Sequence, residues 1–92
     1  MDMKNQNKPQ VYLTSNFYLA GFLIAKGIHL IGIRRTDTRR VNFVFEDGSD
    51  RERLLHSYDF AADNDPSVMI DPRRFIQAIR TLKEKLYQEV QC

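Results

Sequence analysis

The spacing of apolar positions along this chain changes several times, and each change marks an element. "QVYLTS" is a short apolar run of strand character, and Thr14 or Ser15 at its end is suited to cap a following helix. From about Asn16 to Lys26 the apolar residues neither alternate nor keep to one side. That stretch reads as a helix that is apolar in every direction, closed by Gly27, the residue best able to take a left-handed conformation. "IHLIGIRR" reads as a strand, where strict alternation sets Arg35 with Ile31 and Ile33 and Arg34 with Leu30. In "RVNFVFE", Val41, Phe43 and Phe45 alternate with Arg40, Asn42, Val44 and Glu46, which defines one core-facing side. So few residues separate these two strands that they are expected to pair as an antiparallel hairpin, although the turn lacks a glycine.

Ser49 and Glu52 have the spacing of a capping box, opening a short helix that buries Leu54, Leu55 and Tyr58. "DFAADNDPS" reads as a polar loop and "VMI" as a brief strand. Asp71 followed by Pro72 is a helix start, an acceptor and then a residue with no amide to satisfy. Phe75, Ile79, Leu82, Leu86 and Val90 then recur at steps of three and four, a stripe facing the core. The order strand, helix, strand, strand, helix, brief strand, helix implies an α+β fold: a small antiparallel sheet with a central β-hairpin and two to three helices packed on it. Residues 1–9 read as a flexible polar lead-in and residues 10–92 as a single domain.

Composition narrows this picture. Ninety-two residues, 42% of them apolar and 28% charged, suit one packed core and leave no room for a second. The one cysteine, Cys92, excludes an internal disulfide and a multi-cysteine metal site within the chain, and suits a cytoplasmic setting. The first ten residues lack the apolar stretch of a secretory signal. The longest apolar region, "FYLAGFLIAKGIHLIGI", is broken by Lys26, Gly27 and His29, and is expected to be a helix followed by a strand and not a membrane span.

Charge is unevenly placed. Residues 1–40 hold seven Lys or Arg and two Asp, residues 41–71 two Arg and eight acids, and residues 72–92 five Lys or Arg and two Glu. Such blocks either build a dipolar surface or interleave on folding and cancel. The densest basic stretch is "RRTDTRR", with Arg34, Arg35, Arg39 and Arg40 around Asp37. Strand alternation sends one arginine of each strand to each side, which makes a poorer phosphate clamp than four on one surface. Two readings stay open, a solvated hairpin tip and a contact for nucleic-acid backbone. On the last helix Arg73, Arg80 and Tyr87 are spaced by seven residues on the side away from the core stripe, where they either face solvent or meet a phosphate backbone.

The first helix has no evident wet face. It is either sandwiched within its own domain or covered by a second copy, and the second option makes Tyr18, Leu19, Phe22 and Leu23 self-association candidates. Gly21 at mid-helix marks a close approach by another segment under either option.

Catalytic signatures are lacking. Asp47, Asp50 and Glu52 do not reproduce a calcium loop and suit a turn and helix cap; a metal-dependent phosphodiester hydrolase on this segment is the remote enzymatic alternative. "GFLIAKG" has the ingredients of a phosphate loop in the wrong order, since Lys26 and Gly27 close a helix that the motif would open. His29 and His56 stand in no recognisable nucleophile motif. The expected function is a non-catalytic binding or interaction module, without cofactor, metal or membrane, whose partners are a second copy or, alternatively, nucleic acid.

"YLTSNFYLAGFLIAKG", "RRVNFVFED" and "DPRRFIQAIRTLKEKLY" together resemble a small bacterial family catalogued only as a domain of unknown function, across residues 11 to 88. The resemblance rests on caps, core positions and a hairpin. It implies a bacterial or phage-related cytoplasmic protein and carries over no functional residues.

Overall fold

The strand with the strongest alternation occupies the middle of the sheet. The computed structural model describes residues 10–35 and 40–91, with side chains as far as Gln88. Its elements are β1 (Val11–Thr14), α1 (Phe17–Ala25), β2 (Leu30–Arg35), β3 (Val41–Glu46), α2 (Ser49–Phe60), a 3-10 turn (Pro66–Val68) and α3 (Pro72–Gln91). The strands form an antiparallel sheet in the order β1-β3-β2, so the fold is α+β as expected. Tyr12 lies opposite Phe45 and Thr14 opposite Phe43 on one side, while Ile33 and Leu30 oppose the same two phenylalanines on the other.

All three helices lie on the face that presents Phe43 and Phe45. Phe17 of α1 meets Phe43 edge-on with ring centroids 6.2 Å apart, Arg51 of α2 stacks over Tyr12 of β1 at 4.2 Å, and Leu82 of α3 joins the same buried cluster. Helix α1 therefore runs over the centre, with α2 towards the β1 edge and α3 towards β2. Phe43, Phe45, Leu23 and Leu82 are the largest fully buried side chains, each worth about 1.5–3 kcal/mol of transfer free energy.

The end of α1 shows how one glycine sets a direction. Gly27 has φ +100, its N–H donates to the Ile24 carbonyl at 2.9 Å, and the Ile28 N–H donates to the Leu23 carbonyl at 3.0 Å. This double closure satisfies two carbonyls that the helix leaves open and turns Ile28 back onto the core.

Four local expectations are corrected. The cap of α1 is Asn16, whose Oδ1 accepts from the Leu19 N–H at 3.1 Å, while Thr14 Oγ1 accepts from the Asn16 N–H one step earlier. Ser49 is the first helical residue of α2 and forms no capping box; Asp47 Oδ1 accepts from the Gly48 N–H at 2.7 Å and orders the turn in its place. Residues 68–70 form no strand, because Asp65 accepts from the Ser67 N–H and Pro66 starts a 3-10 turn there. Strand β2 carries an irregularity between Leu30 and Gly32. That extra residue sets Leu30 on the same core-facing side as Ile33 and leaves Ile31 about half exposed, which strict alternation could not anticipate. No helix among the described residues is long and apolar enough to cross a membrane.

Candidate functional site

Antiparallel pairing decides which charges meet. Strand β2 ends, and β3 begins, at the hairpin end of the sheet, where Arg34 opposes Asn42 and Arg35 opposes Val41, next to Arg40. All three arginines are exposed there. Arg34 shares its face with Asn42 and Val44, and Arg35 lies on the helix-covered side, so each face receives one arginine of β2. Arg39 lies outside the described residues.

Helix α3 adds a cation that the sequence did not single out. Lys85 and Gln88 line a shallow cleft with Gly32 and Ile33 of β2, which brings an exposed ammonium to the hairpin side of the sheet. Its signal was its place beside Leu82 and Leu86: a residue flanking a core stripe sits at the seam between helix and sheet. The α3 arginines are elsewhere. Arg73 begins the helix, roughly 18 Å along the axis from Lys85, and its guanidinium donates to Asp71 at 3.1 and 3.3 Å. Arg80 lies halfway along the outer side, exposed like Tyr87. The five described arginines among the six first considered therefore form no single surface.

At the opposite end of β3 the charges are acidic and accompanied. Glu46 ends the strand, Asp47 takes Arg51 through two hydrogen bonds at 2.8 and 3.3 Å, and Arg53 lies 3.1 Å from Asp50. The Arg51 hydrogen bond holds the Asp47 carboxyl below its ordinary pKa, and Asp47 raises that of Arg51 in turn. Lys26 donates to the Met69 carbonyl at 2.9 Å and lies 5.8 Å from the Phe22 ring centre, serving the end of a helix. Among the described residues no three of His, Cys, Asp and Glu are placed to hold a metal ion. The acidic segment thus builds a turn with its own countercharges. His29 contributes its backbone carbonyl to the Glu46 N–H, and the His56 ring packs 5.0 Å from that of Phe60.

The self-association candidates are divided by burial. Leu19, Phe22 and Leu23 are 5%, 4% and 0% exposed inside the chain's own core, while Tyr18 is 62% exposed. A surface made of all four cannot exist in the folded chain. The first helix is apolar all round because the sheet lies below it, α3 on one side and α2 on the other. Tyr58 of α2 covers Phe22 at 5.0 Å between ring centres. Gly21 is the point of closest approach: a Cβ there would come within 2.7 Å of Ile79 Cδ1 and 3.2 Å of Phe75 Cε1.

One family model, described as a domain of unknown function (DUF5659), matches residues 9–88. No curated protein and no solved structure matches the chain.

Proposed function

We propose, from the premise that the chain belongs to the DUF5659 family, that it is a non-catalytic binding module whose basic end holds an extended polyanion, most naturally a nucleic-acid backbone. The observation that carries this reading is the spatial separation of charge along β3. Arg34, Arg35, Arg40 and Lys85 gather at the hairpin end, and at the other Glu46, Asp47, Asp50 and Glu52 outnumber Arg51 and Arg53. The reading needs charge to be concentrated, not any guanidinium to be idle. Contacts of this kind position a backbone and do not select a sequence. The acidic end disfavours a second strand there, so the polyanion crosses the hairpin end without running the length of the sheet. A cytoplasmic setting, supported by the single cysteine, and a bacterial one, which the sequence resemblance alone suggests, belong to the same proposal.

Fluorescence anisotropy with a labelled duplex at several salt concentrations tests it. Four contacts give a slope of log affinity against log salt of about −3.6, and replacing Arg34, Arg35 and Arg40 with serine reduces it to about −0.9. Arg73→Ser is expected to leave the slope unchanged. No binding at low salt, or equal slopes for wild type and the triple variant, would falsify the reading.

A further inference from the structure

With α1, α2 and α3 all on one side, the other face of the sheet carries no described element. It presents Val11 and Leu13 from β1, Asn42, Val44 and Glu46 from β3, and Gly32 and Arg34 from β2, with Ile31 pushed outward at the irregularity. Val11, Leu13 and Ile31 are 37%, 38% and 49% exposed around Val44, itself only 6% exposed. An apolar ring of this kind around a shielded centre is what a packing surface looks like, and one left uncovered by the described elements marks an interaction site. Its chemistry narrows the occupant. The residues are aliphatic, so the face has no ring on which a base could stack. Its charges are few and sit at opposite ends, Arg34 and, by the alternation of β3, Arg40 by the hairpin and Glu46 at the far end of β3.

We infer that this face docks on the same face of a second copy, the two sheets stacked with their strands reversed about a two-fold axis that crosses the strands. Symmetry and charge select that arrangement. A two-fold axis parallel to the strands sets Glu46 on the Glu46 of the other copy. The axis across the strands sets Glu46 over Asn42, beside the Arg34 of the other copy, and does so twice. The same operation lays Leu13 on Leu13 and Val44 on Val44, and Gly32 lets the backbones approach between them. Isologous contacts of this kind close as dimers and do not propagate. The rim charges fix orientation more than affinity.

Size sets the strength. Three strands about 4.8 Å apart, two of six residues and one of four, cover at most roughly 14 by 20 Å, less than the patch of a standard stable interface. The dimer is therefore weak, with a dissociation constant on the order of 100 µM.

Sedimentation equilibrium of the full chain from about 10 µM to about 1 mM, spanning that constant, tests the inference in the absence of nucleic acid, so it fails or succeeds separately from the polyanion reading. A monomer–dimer equilibrium is expected. Leu13→Lys and Ile31→Lys should each weaken it at least tenfold while far-UV circular dichroism stays native; two positions guard against one variant failing to fold. Arg34→Glu and Glu46→Arg should each weaken it about tenfold, because each disrupts both symmetry-related rim pairs, and the two together should restore it. A monomer at every concentration overturns the proposal, whether the face stays bare or serves a different protein. So does a dimer indifferent to both lysine variants, or a double charge reversal no tighter than the singles.

Discussion

Helices α1 and α3 pack against each other and are built in opposite ways. Helix α3 keeps one apolar stripe, with Ala78 and Leu82 buried and Arg73, Arg80 and Tyr87 outside. Helix α1 is apolar on all sides, and six of its nine residues are buried. The stripe of α3 states both that it is covered and which side is covered. The girth of α1 states only that it is covered. Whether the cover was the same chain or another copy required the neighbours, and here the sheet, α2 and α3 supply it. An apolar surface in a sequence is a demand for burial; the identity of what meets it is a property of the tertiary structure.

The contrast is broken most severely by a charge. Leu19→Glu places a carboxylate in a site whose neighbours are apolar, a change worth more than about 4 kcal/mol. That is a large share of the roughly 5–15 kcal/mol that holds a domain together. The expected result is loss of the cooperative melt at every protein concentration. The same charge on the outer side of α3, Arg80→Glu, should move stability by no more than about 0.5 kcal/mol. If Leu19→Glu melted like wild type and merely changed the mass in solution, α1 would be an intermolecular helix after all.

A smaller change probes the contact between the two helices. Gly21→Ala gains about 1 kcal/mol of helix propensity but brings a methyl to 2.7 Å from Ile79 Cδ1, the free end of a side chain that can turn away, and 3.2 Å from Phe75 Cε1, so the overpacking falls at the low end of about 1–3 kcal/mol. The two nearly cancel, and a net change below about 1 kcal/mol is expected in chemical denaturation. Ile79→Val removes that carbon and on its own costs about 0.5–1.5 kcal/mol. Together they should cost less than their sum by at least about 0.5 kcal/mol, because the second relieves the first. Strict additivity would place the close approach elsewhere.

The smallest effect separates the helices by their caps. Helix α1 starts on the amide Asn16, which does not titrate, and α3 on Asp71, whose Oδ1 accepts from the Arg73 N–H at 2.8 Å. The Arg73 side chain, then its backbone N–H, holds the Asp71 carboxyl below its ordinary pKa. A depressed folded-state pKa contributes stability above the unfolded value of about 3.9, and that contribution is lost as pH falls through the lower folded value. Asp71→Asn should therefore melt below wild type at neutral pH, with the gap closing on acidification below about pH 4. Asn16→Asp should reverse the pattern of dependence, giving α1 a pH-sensitive start that wild type lacks. A gap for Asp71→Asn that stayed constant across the acid range would rule out the ionised carboxylate as its source, and no gap at any pH would assign the start of α3 to Pro72 alone.

The legibility of other regions follows the same physics. Signals that act within a turn or two were readable: Gly27 closing α1, Asp71 and Pro72 opening α3, and alternation in β3 that put Phe43 and Phe45 inside. Competition between neighbouring local signals was harder. Asp47 took the amide ahead of Ser49, and Asp65 with Pro66 wound a turn where "VMI" suggested a strand. The candidate site was half legible. Arg34, Arg35 and Arg40 were visible as a basic cluster, but their grouping with Lys85 and their distance from Arg73 depend on how α3 lies along β2.

By itself the sequence determined the α+β class, the hairpin, the amphipathic α3 and the requirement that α1 be covered, because these follow from residue periodicity and capping within a few positions along the chain. Only the tertiary structure decided that β1 joins the far side of β3, that the irregularity at Ile31 realigns β2, that all three helices share one face, and that the opposite face keeps its aliphatic ring. Each of those depends on contacts between residues far apart in sequence, where the free energy of one segment is set by which surface another segment leaves open.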